Sequence, residues 1–572
     1  MNNMEKIRKI FIASKICARK VKRYSNRKKK EWSLRKIYRD QSCCKIKFSI
    51  VMPVYNVEIK WLSKAIESVQ RQIYPNWELC IVNDCSTKEG VAEFLETIMS
   101  DRIKIRNLDK NVGISEASNI AASMADGDYI LLMDNDDEIT IDALYEFKKA
   151  VDQDNPDIIY SDQDMIDIMG HRSNPLCKPD WSYDLLLSQM YMGHLVGLKR
   201  TLFEKVEGFK SEYNGSQDYD LILRSIEETT NIYHIPKILY SWRALPTSTS
   251  VNPNAKPYSQ ISGKQAVQDH LNRKYGIGKA RVNELDRFFM YDVEYEIEGY
   301  PQVAIVIPMR DQTEMTRNCI KSIIEKTTYK NYEILLINNR SEEKTTAQYL
   351  FELQESSLPV KVIDANIPFN WSKLNNIGIK NSQADVFVFL NNDTEVIEGR
   401  WLERMVAKVT QDGVGVVGGL LLYEDRTIQH AGVVVGMNGW ADHVYKGAPI
   451  EHTGTPFISP LLVRNVSSVT GACMAISRRT IEKIGLFNER FLICGSDVEL
   501  CLRALGMGLR NIVDPMVRLY HFESKSRDAS NVPNSDFKLS DHFYGKMRTE
   551  GDPFFNEQLD SFCMIPTRRK NC

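Results

Sequence analysis

The chain has 572 residues, which at roughly 150 residues per domain points to about two to four domains, and its 43% hydrophobic and 26% charged content excludes disorder throughout. The formal charge of −1 hides an asymmetry: residues 1–45 hold 16 Lys/Arg against 3 Asp/Glu, a local +13, which leaves about −14 on everything after them. An acidic body excludes a general nucleic-acid binder, and twelve scattered cysteines without metal-type spacing exclude a disulfide scaffold or a zinc module.

The basic arm, residues 1–45, comes first. Within it Lys6–Tyr24 predicts a helix with Ile7, Ile10, Phe11, Cys17 and Val21 on one face and lysine or arginine over the rest. That pattern suits an anionic membrane surface; a solvated basic tail is the alternative. No secretory signal is legible, and the most apolar run, Gly413–Tyr423, is too short and too glycine-rich to span a bilayer. The expected setting is cytoplasmic, with peripheral attachment at the inner face of the cell membrane.

After the arm the chain contains itself twice. SIVMPVYN (49–56) returns as AIVIPMRD (304–311), and ELCIVND (78–84) as EILLINN (333–339), both at an offset of 255. Residues 119–136 return as 376–393 at an offset of 257, and DYDLILR (218–224) returns as DVELCLR (497–503) at 279. Order and spacing held over four blocks mean tandem duplication, with about 22 extra residues between the third and fourth blocks of the second copy. The copies are expected at 46–290 and 302–530, joined by a linker at 291–301 and followed by a C-terminal extension at 531–572.

Each copy reads as alternating α and β. Phe48–Met52, Leu79–Val82 and Tyr129–Met133 are short apolar runs of the kind that form buried parallel strands, and Val57–Ile73 and Val91–Met99 read as helices. The fold class is α/β: two tandem Rossmann-like domains, each with a mostly parallel open sheet. Ligands of such sheets bind beyond the C-terminal strand ends. The polar clusters fall there: Tyr55-Asn56, Asn83-Asp84 and Asp134 to Asp137.

Asp134 and Asp136, one residue apart at a strand end, can grip a hard divalent cation while leaving room for phosphate oxygens and water. An acidic turn capping the next helix uses the same residues. The second copy keeps a reduced form, Asn391-Asn392-Asp393. Gln217-Asp218-Tyr219-Asp220-Leu221 and Ser496-Asp497-Val498-Glu499-Leu500 place an acid in a first helical turn, where it serves as general base or as N-cap.

The succession IVMPVYN, IVNDCS, NVGISEASN, LLMDNDDE and QDYDLILR resembles the family-2 glycosyltransferases of the GT-A fold. The second copy is similar through IVIPMRD, FLNNDTEV, VTGAC, GSDVELCLR and LYHFES. With KPDWSYDLLLSQMYMGHL (178–195) and TIQHAGVVVG (427–436), the tandem arrangement resembles double-domain bacterial enzymes that build cell-surface polysaccharides. The resemblance implies transfer of sugars, with inversion, from a nucleoside-diphosphate sugar to a glycan or lipid-linked acceptor, assisted by Mg2+ or Mn2+. It implies Asp218 and Asp497 as bases, with Asp220 as runner-up, and Asp134, Asp136, Asp393 and His521 as metal-binding residues. For the nucleotide sugar it implies Pro53, Tyr55, Asn56, Asp84, Asn119 and Asp134 in the first copy. The second copy would use Pro308, Asp311, Asn338, Asn376 and Asn391.

The second copy departs from the family pattern at Asn338-Asn339 and Asn391, and the first has Ser241 where the second has His521. His430 and the Val469–Cys473 loop are further candidates for the second pocket, and Trp181 and Trp371 for stacking on sugar rings. One live domain beside an acceptor-binding module is the alternative reading. A nucleotidyltransferase ranks lower, because Val54-Tyr55-Asn56-Val57 offers no glycine- and lysine-rich phosphate loop.

Overall fold

The computed structural model describes residues 45–245, 257–522 and 533–569. The amphipathic helix expected in the basic arm lies outside the described residues. The chain divides into two compact units, Met1–Ser173 with His194–Asn252, and Asn174–Gly193 with Pro253–Cys572.

In the first unit the strands run across the sheet as Ile103–Asn107, Trp77–Asn83, Phe48–Val54, Tyr129–Leu132, Val196–Lys199, Ile158–Ile166, Ile232–Arg243 and Glu138–Ile139. The second unit repeats the order as Val360–Asp364, Tyr332–Asn338, Val303–Met309, Val386–Leu390, Cys473–Ser477, Val414–Leu422, Arg510–His521 and Thr394–Val396. The duplication holds to the residue: Phe48 pairs with Trp77 and Tyr129, and Val303 with Tyr332 and Val386. The first four strands in each path are parallel. An antiparallel strand, Val196–Lys199 or Cys473–Ser477, then joins them to the far half of the sheet.

Sequence explains this directly. FSIVMPV, YILL, VAIVIPM and VFVFL are apolar almost without alternation, so both faces of these strands must be covered. Helix Ile59–Gln70 does part of that, turning Trp61, Leu62, Ala65, Ile66 and Val69 inward at helical spacing. In the second unit, separate apolar clusters lie on the sheet, one beneath Trp401, Leu402 and Met405 and one beneath Leu374, Ile481 and Leu500.

The unit boundaries differ from those expected. Residues 291–301 are not a free linker: Tyr291–Tyr295 is a strand paired with Ala280–Glu284. Asp292 is gripped by Arg404 at 2.6 and 2.9 Å. Residues 174–193 also belong to the second unit, where the Asp184 carboxylate meets Asn465 Nδ2 at 2.7 Å and Arg510 Nε at 3.0 Å. The extension after 530 packs there too. Asp536, at the start of helix Asn534–Glu550, accepts the backbone N–H groups of Leu492, Ile493 and Cys494.

Candidate active site

Both units gather polar loops at the C-terminal ends of their parallel strands. After the first strand, Asn56 and Asp311 each adopt φ of 51°, a left-handed conformation that Asn and Asp tolerate better than bulkier residues. Their side chains do the same work. Asn56 Oδ1 accepts from the N–H groups of Thr87 and Lys88, and Asp311 Oδ1 from those of Glu342 and Glu343. Tyr55 stands exposed beside this loop, and the Pro53 carbonyl accepts from Asn135 Nδ2 at 2.8 Å. Pro308 holds the equivalent strand position.

After the second strand the copies use opposite polarity. Asp84 is buried and accepts the backbone N–H groups of Val112 and Gly113 at 2.7 and 3.0 Å. Asn339 stands in its place and donates to the carbonyls of Ala365 and Ile367 at 3.0 and 2.8 Å. Asn338 donates to Asp364 and accepts from the Ser341 N–H. Asn119 binds both backbone groups of Phe209, and Asn376 both of Phe487. These bidentate grips make Asn119 and Asn376 staples between a helix and a loop rather than readers of a nucleotide.

The acids at the fourth strand divide by burial. Asp137 is buried, accepting from Tyr240 Oη at 2.7 Å and the Arg243 N–H at 2.6 Å. Burial, then the neighbouring charges of Asp136 and Asp134, push its carboxyl well above the usual range. Asp134 is nearly half exposed, and its Oδ2 lies 3.6 Å from His194 Nε2. In the second unit Asp393 is buried, and its Oδ1 lies 3.3 Å from His521 Nε2 yet accepts no hydrogen bond among the described residues. An orphaned carboxylate oxygen beside an imidazole fits the donor set of a divalent cation. Among the described residues no group of three or more His, Cys, Asp or Glu side chains is arranged to enclose a metal by itself.

The helices Gln217–Glu228 and Ser496–Gly506 carry the two base candidates in their first turns. Burial pushes the Asp218 carboxyl up, against the opposing pull of His194 and the Tyr219 N–H; Asp134 adds to the rise. Asp497 is oriented by the N–H groups of Gly471 and Val498, both at 2.9 Å. Thus the Val469–Cys473 loop aims the acid. A Cβ on Gly471 would come within 2.5 Å of the Trp371 ring, so the loop passes closer there than any other residue permits.

Asp220 and Glu499 have a different task. Each is buried and paired with the arginine one turn on, Arg224 or Arg503. Those arginines also bind carbonyls of the preceding loop, Val206 and Gly208 or Ile484 and Leu486. Asp220 is therefore a structural clasp and not the alternative base.

Of the other candidates His430 is a core residue, and Trp181 and Trp371 are partly buried against neighbouring rings. His430 is fully buried, accepts from the Gly432 N–H and packs edge-on against His443 at 4.7 Å. Burial, with His443 and Arg464 nearby, holds its pKa well below the ordinary value, so it is neutral. Trp371 packs on Phe487, and Trp181 on Tyr183. The expected match of Ser241 with His521 is also corrected. Ser241 pairs with Glu138, whereas His521 pairs with Thr394, the residue before the corresponding Glu395. Trp242 therefore holds the place of His521.

The residue that the sequence reading passed over is His194. Laying 191–209 (YMGHLVGLKRTLFEKVEGF) over 469–487 (VTGACMAISRRTIEKIGLF) would have shown it opposite Ala472.

The sequence pattern of Glycosyl transferase family 2 matches this chain twice, at residues 49–206 and 304–485, more than half of its length. The chain is 38% identical over 524 residues to "Uncharacterized protein y4gI" of Sinorhizobium fredii, covering 89% of this chain and 57% of that protein. It is 34% identical over 515 residues to "O-antigen biosynthesis protein RfbC" of Myxococcus xanthus, covering 89% and 40% respectively. It thus spans about half the length of these relatives or less. The crystal structure of S. aureus TarS 1-349 matches 41% of this chain and 73% of its own at 20% identity, with a TM-score of 0.30. By the double sequence match, the chain belongs to glycosyl transferase family 2, whose pattern it carries in tandem.

Proposed function

We propose that this protein is an inverting glycosyltransferase with two active sites, moving sugars from nucleoside-diphosphate donors to a growing cell-surface polysaccharide or lipid-linked glycan. The observation that supports this most is the recurrence of one arrangement. Each unit pairs a strand-end aspartate with a histidine and carries a further aspartate in the first turn of an Asp-x-(Asp/Glu)-Leu helix. Asp218 or Asp497 takes the proton of the acceptor hydroxyl as it attacks the anomeric carbon from the side opposite the leaving group. Asp134 and Asp136, or Asp393 with His521, would hold a divalent cation, Mg2+ or Mn2+, which when bound would neutralise charge on the departing diphosphate. Tyr55, Asn56 and Asp84, with Asp311 and Asn338 in the second unit, shape the loops that take the nucleotide.

The test is incubation of the full chain with a panel of nucleoside-diphosphate sugars, an oligosaccharide acceptor and metal. Release of the nucleoside diphosphate, with inversion at the product's anomeric carbon seen by NMR, is expected. Excess chelator should abolish release and added magnesium or manganese restore it; full turnover in chelator removes the metal from the reading. One live domain beside an acceptor-binding module is the second reading, supported by Asn391 and Asn339 in place of carboxylates.

Among the described residues no helix is long and apolar enough to cross a membrane. We propose that the arm, residues 1–45 with a charge of +13, attaches the protein reversibly to the inner membrane face, each basic residue at the surface contributing about 1 kcal/mol. The full chain should sediment with anionic liposomes at low salt and leave them at high salt, while a chain lacking residues 1–45 stays in solution. Equal sedimentation of both would make the arm a mere solubilising tail.

A further inference from the structure

We propose that His194 is a metal ligand of the first unit's site, in the role read for His521 in the second unit but delivered from a different strand. This rests on the reading of both sites as metal-dependent.

Register carries the first part of the argument. In the first unit Leu132 pairs with Val196, and His194 lies two residues before Val196. In the second unit Phe389 pairs with Met474, so Ala472 holds the equivalent place. At the other place the residues are exchanged: His521 in the second unit and Trp242 in the first. Each unit therefore has one histidine at one of two positions, and both turn Nε2 toward a strand-end aspartate, at 3.6 and 3.3 Å.

The hydrogen-bond chemistry of His194 carries the second part. Its Nδ1 lies 3.3 Å from the Leu132 carbonyl oxygen, which can only accept, so Nδ1 holds the hydrogen. In the neutral imidazole Nε2 then presents a lone pair to Asp134 Oδ2. A lone pair and a carboxylate oxygen face each other favourably only with a cation between them. An imidazole whose far nitrogen donates to a backbone carbonyl is the usual arrangement of a metal-bound histidine.

The surroundings carry the third. The His194 ring is stacked on Tyr240 (centroids 5.0 Å apart, planes 24°) and set edge-on to Trp242 at 6.3 Å, so its orientation is fixed before any ligand arrives. Trp242 cannot replace it, because an indole N–H only donates. Its Nε1 is buried without a hydrogen-bond partner among the described residues, a donor left available to an anion held at the same site.

The experiment uses the full chain carrying Asp393→Asn and His521→Gln, so that the first site alone is read. Manganese is added alone and then with UDP, GDP or dTDP, and pulsed EPR detects any 14N bound to the ion. With His194 present, one nitrogen should couple to the manganese. In His194→Gln that coupling should vanish, and manganese affinity should fall by at least about tenfold while the melting temperature holds. The double variant His194→Ala/Trp242→His moves the imidazole to the position of the other unit and should restore the coupling. Nitrogen coupling and affinity unchanged in His194→Gln, with binding lost in Asp134→Asn, would overturn the inference and leave the metal reading standing; a protonated His194 paired with Asp134 would give that result. No manganese bound by the chain that keeps His194, with or without nucleotide, overturns both.

Discussion

Asp218→Asn is expected to remove one of two sugar transfers, and Asp497→Asn the other, each slowing its own step by about 10² to 10⁴-fold. The swap nearly preserves shape: at Asp218 an amide oxygen can still accept the Tyr219 N–H, and at Asp497 it can keep one of the two N–H groups, from Gly471 or Val498, that the two carboxylate oxygens accept. The fold should therefore survive while the capacity to take a proton disappears. Assaying each variant with donors offered singly and together separates the two steps. If Asp218→Asn alone matters, the second unit is an acceptor-binding module. If both variants transfer at near-normal rates, the helix-start acids are caps and the bases lie elsewhere.

The second large effect concerns stability. Arg404 lies buried in the second unit, donating from Nε to Asp514 at 2.9 Å and through both terminal nitrogens to Asp292. Lys408 joins Asp514 at 2.8 Å. Against the upward push of burial, Arg404 and Lys408 hold the Asp514 carboxyl well below the usual carboxylate range. Arg404→Met should cost about 3–5 kcal/mol, since it leaves buried carboxylates without their partner. The pH dependence has a definite sign. A depressed folded-state pKa contributes stability that is complete above the unfolded value of about 3.9 and is lost as pH falls below it. Acid melting curves of the parent should therefore steepen below about pH 4, and those of Arg404→Met, which keeps Lys408 on Asp514, should steepen less. A variant melting like the parent at neutral pH would show the cluster to be energetically idle.

The duplication, the strand runs and the strand-end acids were legible because they depend on local pattern. Runs such as FSIVMPV report burial on both faces, and an acid after such a run sits by necessity at the ligand-binding edge of the sheet. What could not be read was set by register and by partners far away in sequence. Ser241 looked like the counterpart of His521 because short repeats align easily by eye, yet a shift of one residue along a strand exchanges its faces. Asn119 looked like a ligand-binding amide until Phe209, ninety residues on, was seen to occupy both of its ends. Asp220 and Asp218 are indistinguishable by spacing, and only Arg224 reaching loop carbonyls separates the clasp from the base.

The placement of residues 174–193 has a consequence for how such a protein can be dissected or shuffled. The second unit takes a piece of its interior from within the first repeat: Ser182 and Asp184 bond Asn465, and the Lys178 carbonyl accepts from Asn556. Neither folded unit therefore corresponds to one uninterrupted stretch of coding sequence. A fragment starting at residue 253, which keeps the strand Tyr291–Tyr295 and Asp292, would carry the whole second repeat and still leave Asn465, Arg510 and Asn556 without the groups that satisfy them. A shortened chain of this kind should recover its fold when a peptide of residues 174–193 is supplied in trans. By the same logic, with residues 174–193 built into the second unit, the second repeat cannot be transplanted without them.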